Sequence, residues 1–336
     1  MQLPPMDYLA PADLSEALAA KARLGDEAVW LAGGTDLLPR AKQGIAAART
    51  VISLKHLAPE LSGVRVQDGR ITIGALTTLK AAGEHPELSR RLPGLRDALA
   101  SIGAETLQQS VGTVGGNLCA DTRCLYLNQS PAWRAGLAPC FKLGGEVCHP
   151  GGASADRCRS VCQSDGAVML MALQAEAQVA SPQGQRTVAL DELYTGKGET
   201  PLALQADELL TGVSLELGDD PLGTAYHKLA LRGALDYPLL SAAAALWLRD
   251  GVVSRVRVAL GAVYAAPLVL IDAVAPLVGQ EPTPERLAQA ARKAGGHAEP
   301  FLVDNVGADL QWRKDMVRVV VARALEQAVQ RAKGGA

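Results

Sequence analysis

Aromatic residues are scarce in this 336-residue chain, at 4%, with two Phe and four Trp. A core must therefore be filled by Ala, Leu, Val and Gly. Nor does one sign of charge dominate. Thirty-three Lys and Arg face 35 Asp and Glu, a formal −2, so no global field points to nucleic acid or to an anionic membrane. No apolar run is long enough for a bilayer: Val258–Ile271 spans 14 residues, contains Pro267 and is flanked by Arg257 and Asp272. The opening MQLPPMDYLAPADL has neither a basic stretch nor an apolar core, so no secretory signal is expected and the chain reads as cytoplasmic. Two phosphate motifs are missing as well. Without G-x-G-x-x-G a Rossmann dinucleotide fold has no support, and without G-x-x-x-x-G-K-[ST] there is no P-loop. With 48% apolar and 20% charged residues, what remains is a folded chain of two or three domains rather than a disordered one.

Cysteine is absent from most of the sequence, yet all six lie between Cys119 and Cys162. Length and a reducing compartment oppose a disulfide framework. The spacing is Cys119-x4-Cys124-x15-Cys140-x7-Cys148-x9-Cys158-x3-Cys162. No C-x2-C pair occurs, which removes the usual signature of a zinc ribbon. Widely spaced thiolates gathered by a long loop suit an iron–sulfur cluster; structural zinc and merely buried or redox-active thiols stay open. From Asp121 to Arg159 the chain is rich in Gly, Pro, Asn, Ser and Arg and shows no helical or strand period. Long irregular loops inside compact domains are usually functional or disordered, and the cysteines favour function. Five basic residues (Arg123, Arg134, Lys142, Arg157, Arg159) against three acidic ones (Asp121, Glu146, Asp156) would offset a negatively charged cluster, although loops also carry Arg for solvation.

On either side of this window the pattern is regular. A helix over 13–23 is capped by Asp13, and Ala28–Ala32 reads as a buried strand. A helical turn follows at 37–42, then a strand at 50–54. Val64–Val66 and Ile71–Ile73 flank the turn Gln67-Asp68-Gly69-Arg70, a hairpin. Helices are expected over 92–101 and 165–173, and a second hairpin over 176–188. Beyond the turn cluster Gly218–Pro221, strand runs at 224–229, 239–248 and 252–260 precede helices at 284–294 and 310–332. Strands followed by helices describe a separate α+β domain.

Two glycine turns share a physical logic: Leu31-Ala32-Gly33-Gly34-Thr35-Asp36-Leu37, and Gly112-Thr113-Val114-Gly115-Gly116-Asn117-Leu118. Paired glycines let backbone N–H groups approach an anion closely, and a helix start adds a favourable dipole. Thr35, Thr113 and Asn117 can add side-chain hydrogen bonds. Singly such turns are commonplace; together they point to a diphosphate.

These two motifs, with Ile73-Gly74-Ala75-Leu76-Thr77-Thr78 between them, Gln163-Ser164-Asp165 and Tyr226-His227-Lys228-Leu229 after them, resemble the FAD-binding subunit of the xanthine dehydrogenase and carbon monoxide dehydrogenase family of molybdenum hydroxylases. The motifs stand in the family's order over roughly residues 5–330. The long interval between Leu118 and Ser164, with Asp121 to Ser130 reading D-T-R-C-L-Y-L-N-Q-S, resembles the β subunit of 4-hydroxybenzoyl-CoA reductases, which carries an extra [4Fe–4S] cluster. The resemblance implies an α+β fold: a two-part FAD-binding domain over 1–218 (1–58 and 59–218) with a cysteine-rich insertion at 119–162, then a C-terminal α+β flavoprotein domain over 222–336.

It also implies roles. Leu31, Ala32, Gly33, Gly34, Thr35, Asp36 and Leu37 would wrap the FAD diphosphate, with Thr113, Gly115, Gly116 and Asn117 on its other side. Asp165 would hold the ribose and Lys228 would sit near the flavin, although Asp165 also fits a helix cap and Lys228 an exposed strand lysine. The cluster ligands would be Cys124, Cys140, Cys148 and Cys158, with Cys162 a rival for the fourth place. His149 would be an outer donor. The implied partners are a large molybdenum-cofactor subunit and a small [2Fe–2S] subunit, assembled as a dimer of heterotrimers, and a ferredoxin-like electron donor. No catalytic residue, nucleic acid or membrane is expected on this chain.

Overall fold

A computed structural model describes residues 2–46 and 49–334; the outermost expected domain bounds, residues 1 and 336, fall outside them. Three sheets carry the fold. The first is parallel, in order β1-β3-β2, from β1 (Asp7–Leu9), β2 (Ala28–Leu31) and β3 (Thr50–Ser53). The helix Leu14–Leu24 leads into it, capped by the Asp13 carboxylate on the Glu16 N–H at 2.9 Å. The second sheet is antiparallel, in order β4-β5-β8-β6-β7. Its strands are β4 (Val64–Gln67), β5 (Arg70–Gly74), β6 (Glu176–Ser181), β7 (Gly184–Ala189) and β8 (Leu209–Glu216). The β4–β5 turn has positive φ at Asp68 and Gly69, the geometry that matches the right-handed twist of paired strands.

The third sheet is antiparallel, in order β12-β11-β10-β9. It comprises β9 (Leu222–Leu229), β10 (Leu240–Arg249), β11 (Val252–Gly261) and β12 (Leu268–Val269). The helices Pro284–Ala298 and Leu310–Ala332 cover one face. Strand β10 is buried on both faces. Ala242, Ala244 and Leu246 join the core shared with those helices, while Ala243, Ala245 and Trp247 join the core of the preceding sheet and the helices Pro93–Ala100 and Asp165–Ala172. Burial on both faces explains why its sequence runs unbroken through small apolar residues instead of alternating.

The cysteine window is irregular, as its composition suggests, apart from a 3-10 turn at Phe141–Leu143 and one further helical piece. A short helix, Pro131–Arg134, stands inside it, with Ser130 accepting the Trp133 N–H at 3.2 Å and proline in its first turn. Mutual hydrogen bonds between the Arg123 and Val161 backbones close the loop at its ends. From the C-terminal part, Asn305 accepts the Leu125 N–H at 2.8 Å and donates to the Arg159 carbonyl. Fully buried Arg313 orients Asn305, donating to its side-chain oxygen at 3.3 Å and to the Val303 carbonyl at 2.8 Å.

Candidate functional site

The first glycine turn leaves β2 at its carboxyl end, where ligands of open parallel sheets bind. Gly34 has φ +72°, and a Cβ on Gly33 would fall 2.1 Å from the Val111 carbonyl oxygen. The turn can therefore keep this shape only with glycine at both places. No protein acceptor among the described residues takes the N–H groups of Gly33, Gly34 or Thr35. These are idle donors in a concave turn, the arrangement an anion requires.

The second turn is built differently. Thr113 caps the helix Val114–Leu118 by accepting the Gly116 N–H at 3.0 Å, and the Gly115 N–H is spent on the Ala75 carbonyl at 2.8 Å. Asn117 Oδ1 accepts from the Ser164 hydroxyl at 2.7 Å and the Gly166 N–H at 3.3 Å. This turn offers a ligand the Asn117 amide hydrogens and the Thr113 hydroxyl rather than bare backbone.

Asp165 opens the helix Asp165–Ala172, but Ser164 does the capping, accepting the Ala167 N–H at 3.0 Å. That frees the Asp165 carboxylate, only 3% exposed, to accept from Lys228 Nζ at 2.8 Å, from the Tyr226 hydroxyl and from Ser101 Oγ at 3.3 Å. A carboxylate has about four acceptor positions, so one stays open for a hydroxyl. Burial pushes the Asp165 carboxyl up from its ordinary value, and the Lys228 ammonium pulls it back. Lys228 is itself largely buried and also donates to the Ser101 carbonyl at 2.8 Å.

Every residue named above for the diphosphate, the ribose and the flavin lines one cleft of about 640 Å³, within the range of cofactor sites. Further side chains complete it, Arg40 among them unmarked by any sequence motif. Arg123 pairs with Asp36, and Arg40 pairs with Asp121 and, at 3.5 Å, with Asp36. The Arg123 guanidinium also lies 5.1 Å from the centre of the Tyr237 ring. Gln163 lines the cleft with its side-chain oxygen buried and unpartnered among the described residues. Trp30 reaches the Glu208 carbonyl at 3.0 Å, and Arg186 clamps the Glu208 carboxylate with two hydrogen bonds.

A second, narrow pocket lies in the cysteine loop. Cys124, Cys140, Cys148 and Cys158 all line it, with Lys142 and Ser160 among its other walls and no carboxylate. His149 lines it too, its ring stacked on Tyr126 at 5.4 Å between centroids. The other two cysteines lie elsewhere: Cys119 lines the flavin cleft, and the backbone of Cys162 is tied to Tyr264 and Ala262. Burial pushes the Cys119 and Cys162 thiols up to about 12 and Cys124 to about 11, and raises Cys158. Among the described residues, no three His, Cys, Asp or Glu side chains gather tightly enough for a single metal ion. A single ion draws its donors to within about 2.3 Å of one point, whereas a four-iron cluster takes one thiolate at each corner. Four cysteines line this pocket of about 10 Å³, and their number and kind match the second demand.

Residues 4–215 match the model of the FAD-binding domain in molybdopterin dehydrogenase, and residues 224–328 match the CO dehydrogenase flavoprotein C-terminal domain. The chain belongs to this flavoprotein family. It is 27% identical to the carbon monoxide dehydrogenase medium chain of Hydrogenophaga pseudoflava, across 97% of each chain. It is also 27% identical to the nicotine 6-hydroxylase medium subunit of Paenarthrobacter nicotinovorans, over 98% of this chain and 99% of the other. A solved carbon monoxide dehydrogenase from Hydrogenophaga pseudoflava superposes with a TM-score of 0.78 at 26% identity, covering 98% of this chain and 99% of that one. Membership makes this an FAD-binding oxidoreductase chain with the α+β architecture of that family. No helix among the described residues is long and apolar enough to cross a membrane.

Proposed function

We propose that this chain is the electron-transfer subunit of a cytoplasmic molybdenum enzyme, carrying FAD in the large cleft and a [4Fe–4S] cluster in the cysteine pocket. The observation that carries the reading is the convergence of Cys124, Cys140, Cys148 and Cys158 on one carboxylate-free pocket. The chain's relatives include medium chains of carbon monoxide dehydrogenase and nicotine 6-hydroxylase, which supports a large and a small subunit as partners; we propose that these carry the molybdenum cofactor and [2Fe–2S] centres, in a dimer of heterotrimers. When bound, FAD exchanges one electron or two and so connects one-electron carriers to two-electron chemistry.

The protein's own part is placement. The idle N–H groups of Gly33, Gly34 and Thr35 would hold the diphosphate, with Arg40 and Arg123 adding positive charge. Asp165 would accept a ribose hydroxyl while Lys228 neutralises it. Cys124, Cys140, Cys148 and Cys158 would hold the cluster through their sulfurs as thiolates.

For the complex we infer reductive dehydroxylation of 4-hydroxybenzoyl-CoA to benzoyl-CoA, driven by a ferredoxin-like donor. That reading rests on the segment Asp121–Ser130 and on the cysteine spacing. Anaerobically purified chain should show flavin absorption together with about four iron and four sulfide per chain, as a [4Fe–4S] cluster demands. Zinc in place of iron would reduce the loop to a clamp and leave the flavin reading intact. The complete complex should oxidise a reduced ferredoxin only when 4-hydroxybenzoyl-CoA is supplied; turnover with a different aromatic or heterocyclic substrate alone would overturn the substrate assignment.

A further inference from the structure

A buried polar chain joins the two pockets. It starts at Cys158, whose Sγ lies 3.2 Å from Ser160 Oγ, which lies 2.6 Å from Thr122 Oγ1. Lys142 Nζ donates to Thr122 Oγ1 at 2.8 Å, to the Gly198 carbonyl and to Asp121. Asp121 lines the flavin cleft, and its other oxygen takes Arg40. Arg40 and Arg123 share Asp36, at the first glycine turn. Charges alternate along this ladder, Lys142, Asp121, Arg40, Asp36, Arg123. Its cysteine end is the most enclosed, since the Lys142 side chain is 7% exposed and Asp121 13%.

Lys142 is a wall of the cysteine pocket but not a ligand. It supplies no sulfur, and the loop already closes through Arg123, Val161 and Asn305. What it adds is a fixed positive charge on the pocket wall beside Cys158. It also fixes the direction of the hydroxyl chain. Lys142 donates both to Thr122 Oγ1 and to the Gly198 carbonyl that Thr122 also reaches at 2.9 Å. With Gly198 satisfied by the ammonium, Thr122 can turn its hydrogen to Ser160 across their 2.6 Å contact, and only then is the Ser160 hydrogen free to turn toward a Cys158 thiolate. A positive charge and a hydrogen bond to a ligand sulfur both favour the reduced, more negative state of a cluster; net charge, hydrogen bonds to sulfur and exposure are what set such potentials.

We propose that Lys142 is a positioning residue that raises the potential of the cysteine-loop cluster toward the flavin, acting through Thr122 and Ser160 on the cluster side and held by Asp121 on the flavin side. The inference rests on the cluster assignment above. Lys142 is held in place by Asp121, whose second partner Arg40 borders the flavin cleft.

The test compares intact anaerobic holoprotein of wild type, Lys142→Met, Lys142→Arg and Asp121→Asn. Iron and sulfide are counted first, and cluster potential is then read by dithionite titration followed by electron paramagnetic resonance. Lys142→Met should lower the reduced-to-oxidised ratio at the wild-type midpoint about tenfold, a shift of ~59 mV for one electron. Lys142→Arg should restore most of it. Asp121→Asn should shift the potential the other way, because it unmasks the ammonium; loss of a merely structural tie would move both variants in the same direction. Full iron and sulfide with an unchanged potential in Lys142→Met overturns the role of Lys142 and leaves the cluster standing. If Lys142→Met loads no iron, Asp121→Asn decides alone: an upward shift supports the role, and none overturns it. A wild-type chain without iron and sulfide overturns the cluster assignment and this inference together.

Discussion

The flavin cleft and the cysteine pocket are neighbours built on opposite principles. The cleft is assembled from distant stretches, 31–37, 113–117, 165 and 228, yet its backbone donors, carboxylate and ammonium are set in place by contacts within the protein. The cysteine pocket comes from a single window of sequence, and burial pushes two of its thiols, Cys124 and Cys158, up from their ordinary value. The flavin site is preformed; on the reading proposed above, the cysteine pocket is completed by its cluster. Cofactor loss should therefore act differently on the two. Removing FAD should leave the cleft standing, whereas removing the cluster should loosen the loop.

The sharpest way to break this comparison is to separate the two cofactors. Cys140→Ser should abolish iron and sulfide while FAD stays at full occupancy, as read by metal analysis and flavin absorbance; simultaneous loss of FAD would mean that the two pockets are one folding unit. The converse variant is Gly33→Val. Its Cβ would fall 2.1 Å from the Val111 carbonyl oxygen, so the turn must open. FAD affinity measured by fluorescence quenching should fall on the order of 100-fold, equivalent to ~2.7 kcal/mol, with iron content unchanged.

A smaller effect probes how the cleft is held when empty. Lys228→Met leaves the Asp165 carboxylate buried without its cation. Breaking one side of a buried pair costs about 3–5 kcal/mol, whereas replacing both partners is far milder. Denaturant unfolding of the FAD-free chain should show that loss, and Asp165→Asn added to Lys228→Met should recover part of it. Equal stability of single and double variants would mean that Tyr226 and Ser101 suffice to hold the charge.

Much of this was legible from the sequence because the informative signals are local. Hairpin turns such as Asp68-Gly69, the Asp13 cap and the glycine pairs each announce themselves within four or five residues. The order of the motifs along the chain then pointed to one cleft. What stayed hidden depends on contacts between remote residues. Arg123 meets Asp36 across 87 positions and Arg40 meets Asp121 across 81, and no local pattern foretells such pairs. Lys228 is mostly buried against Asp165, a contact that its strand pattern does not foretell. Ser130-Pro131 was a readable helix start that the irregular composition around it masked. Lys142 was counted only as one basic residue among five, because its meaning lies in contacts with Asp121, Thr122 and the remote Gly198 carbonyl.

The smallest effect concerns the rim of the cleft. Glu208 is clamped by Arg186 at 2.6 and 2.9 Å and accepts the Gln205 N–H at 2.8 Å, while its carbonyl holds Trp30. The Arg186 hydrogen bonds hold its carboxyl below the ordinary value, against the opposing effect of burial. A carboxyl with a lowered folded-state value stabilises the protein above its unfolded value, about 4.3 for Glu. That stabilisation fades as pH falls toward the folded value, because protonation then costs the native pairing. Glu208→Gln should therefore be less stable than wild type by about 1 kcal/mol at pH 7, the worth of one charged pair with an exposed partner. The gap should narrow below about pH 4.3 and close once both forms are protonated. Paired urea titrations at pH 7 and at successively lower pH would measure it. A gap that stays constant with pH would assign the loss to packing around Trp30, and the cleft rim would then owe its shape to apolar contact alone.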